Sequence, residues 1–223
     1  MATELFAAIK SGDTAAVERL LERDPALVDA RDEKGTSPTL TALYHGKSEI
    51  AAAILRRGPK LSVFEAAAAG DAARVRDIVG RDRAQANAVA PDGYSALGLA
   101  AFFKRREVVR NLLEMGADPR PASRQGGFTP LHSAVATDAG SVDTEIVRML
   151  LDKGADPKAK SQSGSTPLHT VAFTGDRASL DLLLKRGGDP AIRNNEGKTA
   201  ADIATERRHE DVARSLAAIE RSS

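Results

Sequence analysis

Gly127–Ala136 reads GFTPLHSAVA, and Gly164–Phe173 reads GSTPLHTVAF. The two stretches share a leading Gly and the run Thr-Pro-Leu-His at identical offsets. A third copy, GKTAADIATE, begins at Gly197, 33 residues after Gly164. The step from Gly127 to Gly164 is 37 residues, which is 33 plus a four-residue insertion around Asp138–Ser141. Towards the N-terminus, GYSALGLAAF begins at Gly93, 34 residues before Gly127, and GTSPTLTALY begins at Gly35. The segment ends recur too: LLEMGADP closes at Pro119, LLDKGADP at Pro157 and LLKRGGDP at Pro190, with ILRRGPK (Ile54–Lys60) a degenerate version. Self-similarity at a fixed period of this length marks stacked supersecondary units, not one globular core.

A longer period of 58 residues runs through the first half. It places Phe6 on Phe64, Gly12 on Gly70, Asp13 on Asp71, Gly35 on Gly93 and Gly58 on Gly116. Residues 1–58 and 59–116 therefore read as a duplicated two-repeat unit whose first member is short and lacks a lead-in turn.

Each copy reads as turn, helix, short loop, helix, loop. Ser37, Thr129 and Thr166 each precede Pro, the pattern of a helix N-cap followed by a first-turn proline whose missing N–H costs nothing. Gly12, Gly46, Gly70 and Gly175 fall mid-repeat, where a left-handed residue ends the first helix. Asp13, Asp71 and Asp176 follow those glycines and read as caps of the second helix. That helix carries an apolar stripe at helical spacing, as in Val108, Val109, Leu112 and Leu113. The first helices carry small residues, Ala8, Ala42, Ala66, Ala100 and Ala134, which permit close approach between neighbouring units.

On these motifs the chain resembles the ankyrin-repeat family over nearly its whole length. The resemblance implies an all-α solenoid of about seven stacked helix-turn-helix repeats with short, β-hairpin-like fingers. It implies a single domain over 1–223, with repeats at about 1–33, 34–58, 59–91, 92–120, 125–157, 162–190 and 195–223. The first, third and seventh depart most from the family pattern, and the first and last are expected to act as caps. His132 and His169 fall in the Thr-Pro-Leu-His motif, whose His is in this family a structural residue tying adjacent turns together.

There is no phosphate-cradling Gly loop, no H-E-x-x-H and no G-x-S-x-G. The absence of cysteine excludes disulfides and thiolate sites, and only four His occur. A non-enzymatic chain without cofactor or metal is therefore expected. With 32 basic and 31 acidic residues the net charge is +1, which argues against nucleic acid as the partner. The densest basic segment, Phe103–Arg110 (FKRREVVR), reads as a solvated helix start or as a contact for an acidic partner. No apolar run is long enough to span a bilayer, and the N-terminus lacks the pattern of a signal peptide. A monomeric, cytoplasmic chain is expected.

The chain has only eight aromatic residues. Phe6 and Phe64 hold equivalent places early in first helices and are expected to pack. Tyr44 and Phe173 stand two residues before a mid-repeat Gly, and Phe102 stands two before Lys104, which fills that Gly place. Phe103 is adjacent to Phe102, and Tyr94 and Phe128 precede the residue that starts a first helix. In ankyrin proteins these places face the concave groove. Tyr44, His45, Tyr94, Phe102, Phe103, Phe128 and Phe173 are therefore the candidate residues for binding a protein partner. The alternative is that the rings fold back to fill gaps between Ala-rich helices. Two other readings of the whole chain are a basic-face adaptor for nucleic acid or an acidic surface, and a small-molecule or enzymatic site on the scaffold.

Overall fold

The structure is a computed structural model that describes residues 1–90, 93–136 and 142–220. The expected insertion around Asp138–Ser141 lies outside the described residues. Among the described residues the chain is all helical, with fourteen α-helices in seven successive pairs. The first three pairs are α1 (Ala2–Ser11) with α2 (Thr14–Arg23), α3 (Pro38–Tyr44) with α4 (Ser48–Arg56), and α5 (Val63–Ala69) with α6 (Ala72–Arg81). Next come α7 (Ala96–Phe102) with α8 (Arg106–Glu114), and α9 (Pro130–Val135) with α10 (Thr144–Asp152). The last two are α11 (Pro167–Thr174) with α12 (Arg177–Lys185), and α13 (Ala200–Glu206) with α14 (Glu210–Glu220). The odd-numbered helices stack on one another in chain order, and the even-numbered helices form a second layer beside them. The result is the helical solenoid that the repeats imply.

The 58-residue duplication is visible in the backbone. Both α2 and α6 end on an extended aspartate, Asp24 or Asp82, whose side chain caps a short 3₁₀ turn, Pro25–Asp29 or Arg83–Asn87. The fingers are tight turns, each closed at its base by a backbone bond. The N–H groups of Asp32, Ala90, Ser123, Ser161 and Asn194 donate to the carbonyls of Thr36, Tyr94, Phe128, Ser165 and Lys198. Val89 and Ser95 form an isolated antiparallel bridge in one of them, so the fingers are hairpin-like without becoming strands.

Small residues sit where first helices meet. Ala42, Ala66, Ala100, Ala134, Ala172 and Ala204 are all buried, and the second helices add Val75, Leu112, Leu150 and Leu183. From Val63 to Leu216 this makes one continuous apolar core, while Leu5 to Ile54 form a second cluster. Phe6 is buried among the first-helix residues, and the half-buried Phe64 packs with Leu40, Ala68 and Leu99.

The residue after the mid-repeat left-handed position takes one of two jobs. Asp13, Asp71 and Asp176 cap their own second helix by accepting from a backbone N–H. Lys47, Arg105 and His209 do not cap and instead extend under the glycine of the preceding repeat. Arg105 Nε donates to the Ala68 carbonyl at 2.9 Å, and His209 Nε2 bonds the Phe173 carbonyl at 3.2 Å. Both carbonyls lie at the C-terminal end of a helix, where free acceptors and the negative dipole end attract a donor. Glycine is required at the receiving position for two reasons. Gly175 has φ +75°, and a Cβ there would lie 2.5 Å from His209 Nδ1. Lys104 and Arg208 hold the same left-handed conformation without being glycine, with φ of 57° and 61°.

A double-mutant cycle checks this contact. Gly175→Ala is expected to destabilise the chain by about 2 kcal/mol or more, through the left-handed backbone and the clash together. Gly58→Ala, with φ +69° and open space around its Cβ position, should cost only the backbone part. Combining Gly175→Ala with His209→Ala should cost less than the sum of the two in urea unfolding, because removing the ring removes the clash.

Candidate functional site

The polar frame of the site is built at the helix starts. Thr129 and Thr166 cap α9 and α11, and His132 and His169 fold back on them. Each His Nδ1 accepts from the backbone N–H of its own threonine, at 3.3 Å and 3.1 Å. That assigns the ring proton to Nε2, which donates to the next finger: His132 to the Ser165 carbonyl and His169 to the Lys198 carbonyl, both at 3.1 Å. The motif histidines thus tie each helix start to the following finger, and both ring nitrogens are committed. Burial holds both imidazoles below their ordinary value, against the carbonyl bonds, which raise it. The charge of His169 pushes His132 further down, and that of Lys160 does the same to His169.

Glu65 fills the histidine's place in α5 and was not singled out in the sequence. It closes a capping box with Ser62 and forms an ion pair with Arg31 of the preceding finger. Burial alone would raise its carboxyl, but hydrogen bonds from Ser62 and Arg31 and the charge of Arg31 bring it below the usual carboxylate range. Its position three residues after a Ser cap was the available signal.

Side chains between fingers and first helices enclose a recess of about 450 Å³. Tyr94 and Phe128 stand on its finger side, and Tyr44, Phe102 and Phe173 at the helix ends. Leu99, His132, Ser133, Ala136, Thr170 and Thr174 complete the lining. The recess exists because Ala136, at the place held by Phe102 and Phe173 in the adjacent repeats, leaves room between their rings. Tyr44, Phe102, Phe128 and Phe173 are each 39–49% exposed, and they account for most of the large apolar side chains exposed among the described residues. Phe128 folds over Gly126 and lies 6.0 Å from the His132 ring.

The structure brings five of the seven candidate residues to this recess. Phe103 stands apart. It packs with Leu40, Ala68 and Leu99, meets Phe102 edge-on at 5.1 Å, and lies 5.8 Å from Tyr44. Adjacent positions at a helix end point in different directions, so one ring is exposed and the other supports it from behind. His45 is exposed at the end of α3 but is not part of the lining. One residue missed in the sequence is Arg207, whose guanidinium carbon lies 3.6 Å over the centre of the Phe173 ring.

The basic segment is largely engaged within the chain. Arg105 reaches Ala68 as described, and Arg106 grips Asp143 through Nε and Nη2 at 3.1 and 3.0 Å. Among the described residues no three His, Asp or Glu side chains converge on a metal position, and no helix is long and apolar enough to cross a membrane.

A family model described as ankyrin repeats (3 copies) matches residues 63–161 and 136–222. Curated relatives share the same kind of segment. The chain is 36% identical over 124 residues to a transient receptor potential cation channel subfamily A member 1 homolog of Caenorhabditis elegans. It is 42% identical over 132 residues to ankyrin repeat and SOCS box protein 16 of Mus musculus, and 34% identical over 126 residues to B-cell lymphoma 3 protein of Homo sapiens. Each match covers 56% of this chain but only 10%, 28% and 27% of those relatives.

The buried histidines give the fold an acid sensitivity. The unfolded chain binds more protons than the native chain once pH falls below about 6.5, the ordinary imidazole value. Stability is then complete above that pH and declines below it. The urea midpoint should fall between pH 7 and pH 5. A His132→Gln/His169→Gln variant should be weaker at pH 7, by about 1 kcal/mol per lost bond, yet show a flatter profile over the same range.

Proposed function

This chain belongs to the ankyrin-repeat family, and on that premise we propose that it is a protein-interaction module without catalytic activity, holding a protein partner at the aromatic recess on its concave face. Ankyrin repeats are generally protein–protein interaction modules. The observation that carries the finer reading is the gathering of Tyr44, Phe102, Phe128 and Phe173, all partly exposed, around one uncharged recess. Exposed apolar patches of this kind mark interaction sites, and aromatic anchors dominate interface energetics. The lining comes from the ends of stacked helices and from fingers bonded to one another. Gln162 N–H donates to the Gly126 carbonyl and Asn195 N–H to the Ser163 carbonyl, both at 2.9 Å. A site held this way loses little conformational freedom on binding. A basic-face reading draws less support, since Arg105 and Arg106 are spent on contacts within the chain.

Affinity capture tests the reading. A Phe102→Ser/Phe173→Ser variant removes two rings without opening the core and should keep the helical circular dichroism of the wild type. Loss of two anchors should weaken a specific partner by about 30-fold or more. A control with Arg110→Ala and Lys185→Ala, on exposed positions of the second helices, should capture normally. If the aromatic variant retains every specific partner, the recess is not the site.

A further inference from the structure

The recess lining contains no Asp, Glu, Lys or Arg, so the charge at this site comes from its rim. Arg207, directly after α13, supplies it. Its guanidinium is stacked on Phe173, and the side chain is exposed. The acids of the same helix are already engaged. Glu206 accepts Lys198 Nζ at 2.9 Å, and Asp202 accepts from the Thr199 N–H at 2.8 Å with Arg193 at 3.8 Å. Among the described residues no carboxylate lies within ion-pair distance of Arg207. Stacking on an aromatic face also orients a planar guanidinium. The guanidinium carbon of Arg207 sits 3.6 Å over the ring centre, and a guanidinium lying flat on a ring keeps its in-plane N–H donors available to a carboxylate through two parallel bonds.

We propose that the partner segment is acidic as well as apolar: a peptide that seats a large apolar side chain among Phe102, Phe128 and Phe173 and places an Asp or Glu carboxylate on Arg207. This deepens the protein-binding reading and rests on it. The geometry sets the spacing. Arg207 lies against a ring that itself lines the recess, so the acid stands within a few residues of the apolar anchor. The neutral lining selects for the uncharged side chain, since a charge placed there would lose its water without gaining a partner. Arg207 adds sign selectivity and an association rate that falls with salt.

Selection from a random twelve-residue peptide library displayed on phage, against the immobilised full chain, tests this. The expected winners carry a large apolar or aromatic residue with Asp or Glu within about four positions. Synthetic winners should bind Arg207→Gln and Arg207→Glu at least about fivefold more weakly than wild type, with a weaker salt dependence. Repeating the selection on Arg207→Glu should replace the acid by Lys or Arg. Winners that carry the apolar residue without acidic enrichment, and bind all three chains equally, overturn the acidic assignment while leaving the recess in place. Winners that bind the Phe102→Ser/Phe173→Ser variant as well as wild type, or a selection that enriches nothing, overturn the recess and the acidic assignment together.

Discussion

Ala66, Ala100, Ala134, Ala172 and Ala204 lie where consecutive first helices touch, and each is buried. A methyl group at these points lets the helix axes approach closely, and close approach is what makes a single core out of units that could not bury their faces alone. The rest of the structure depends on that spacing. It brings His132 within bonding distance of the Ser165 carbonyl and His169 within reach of Lys198. It carries Arg105 and His209 back beneath Gly70 and Gly175. It also sets the gap between neighbouring helix ends, and thus the width of the recess.

Polar side chains set the register of the stack, and they do so in a shared position with different chemistry. At four of the six Ser or Thr caps of first helices the third residue onward is Glu65, His132, His169 or Asp202, and each of these closes a capping box. The histidines have a second nitrogen with which to reach forward to the next finger. Glu65 has no donor to give and instead receives Arg31 from the finger before it. The link from Gly58 to Ser62 is too short for a full finger, so the third repeat has no turn of its own to meet. At the neighbouring position, Asp caps its own helix while Lys47, Arg105 and His209 reach to the preceding repeat. Helix capping is exchanged there for cohesion between units, at helix ends that can use a cation.

Much of this was legible in the residues. The helix pairs, the left-handed glycines and the Thr and Asp caps follow from local signals at a fixed period, and the tie formed by the motif histidines was implied by the resemblance to the ankyrin-repeat family. The same alignment placed Lys104 in a glycine position, and its φ of 57° agrees. Five of seven candidate aromatic and histidine positions reach the recess because helix ends and finger tips recur with the repeat. Arg207 and Glu65 were harder to see, since each matters through a residue of another repeat: Phe173 lies 34 positions away from Arg207, and Arg31 34 from Glu65.

By itself, the sequence determined that this chain is a stack of helix pairs, because caps, glycines and apolar stripes act within a few residues and need no knowledge of the whole. Only the tertiary structure decided the face that the stack presents. Phe102 and Phe103 are neighbours of the same type, yet one lines the recess and the other packs against Leu40, Ala68 and Leu99. That division rests on what the adjacent repeats leave open, with the small Ala136 on one side and the apolar cluster on the other. Direction at a helix end is settled by neighbouring packing, and neighbours one repeat away in sequence exist only once the helices are stacked.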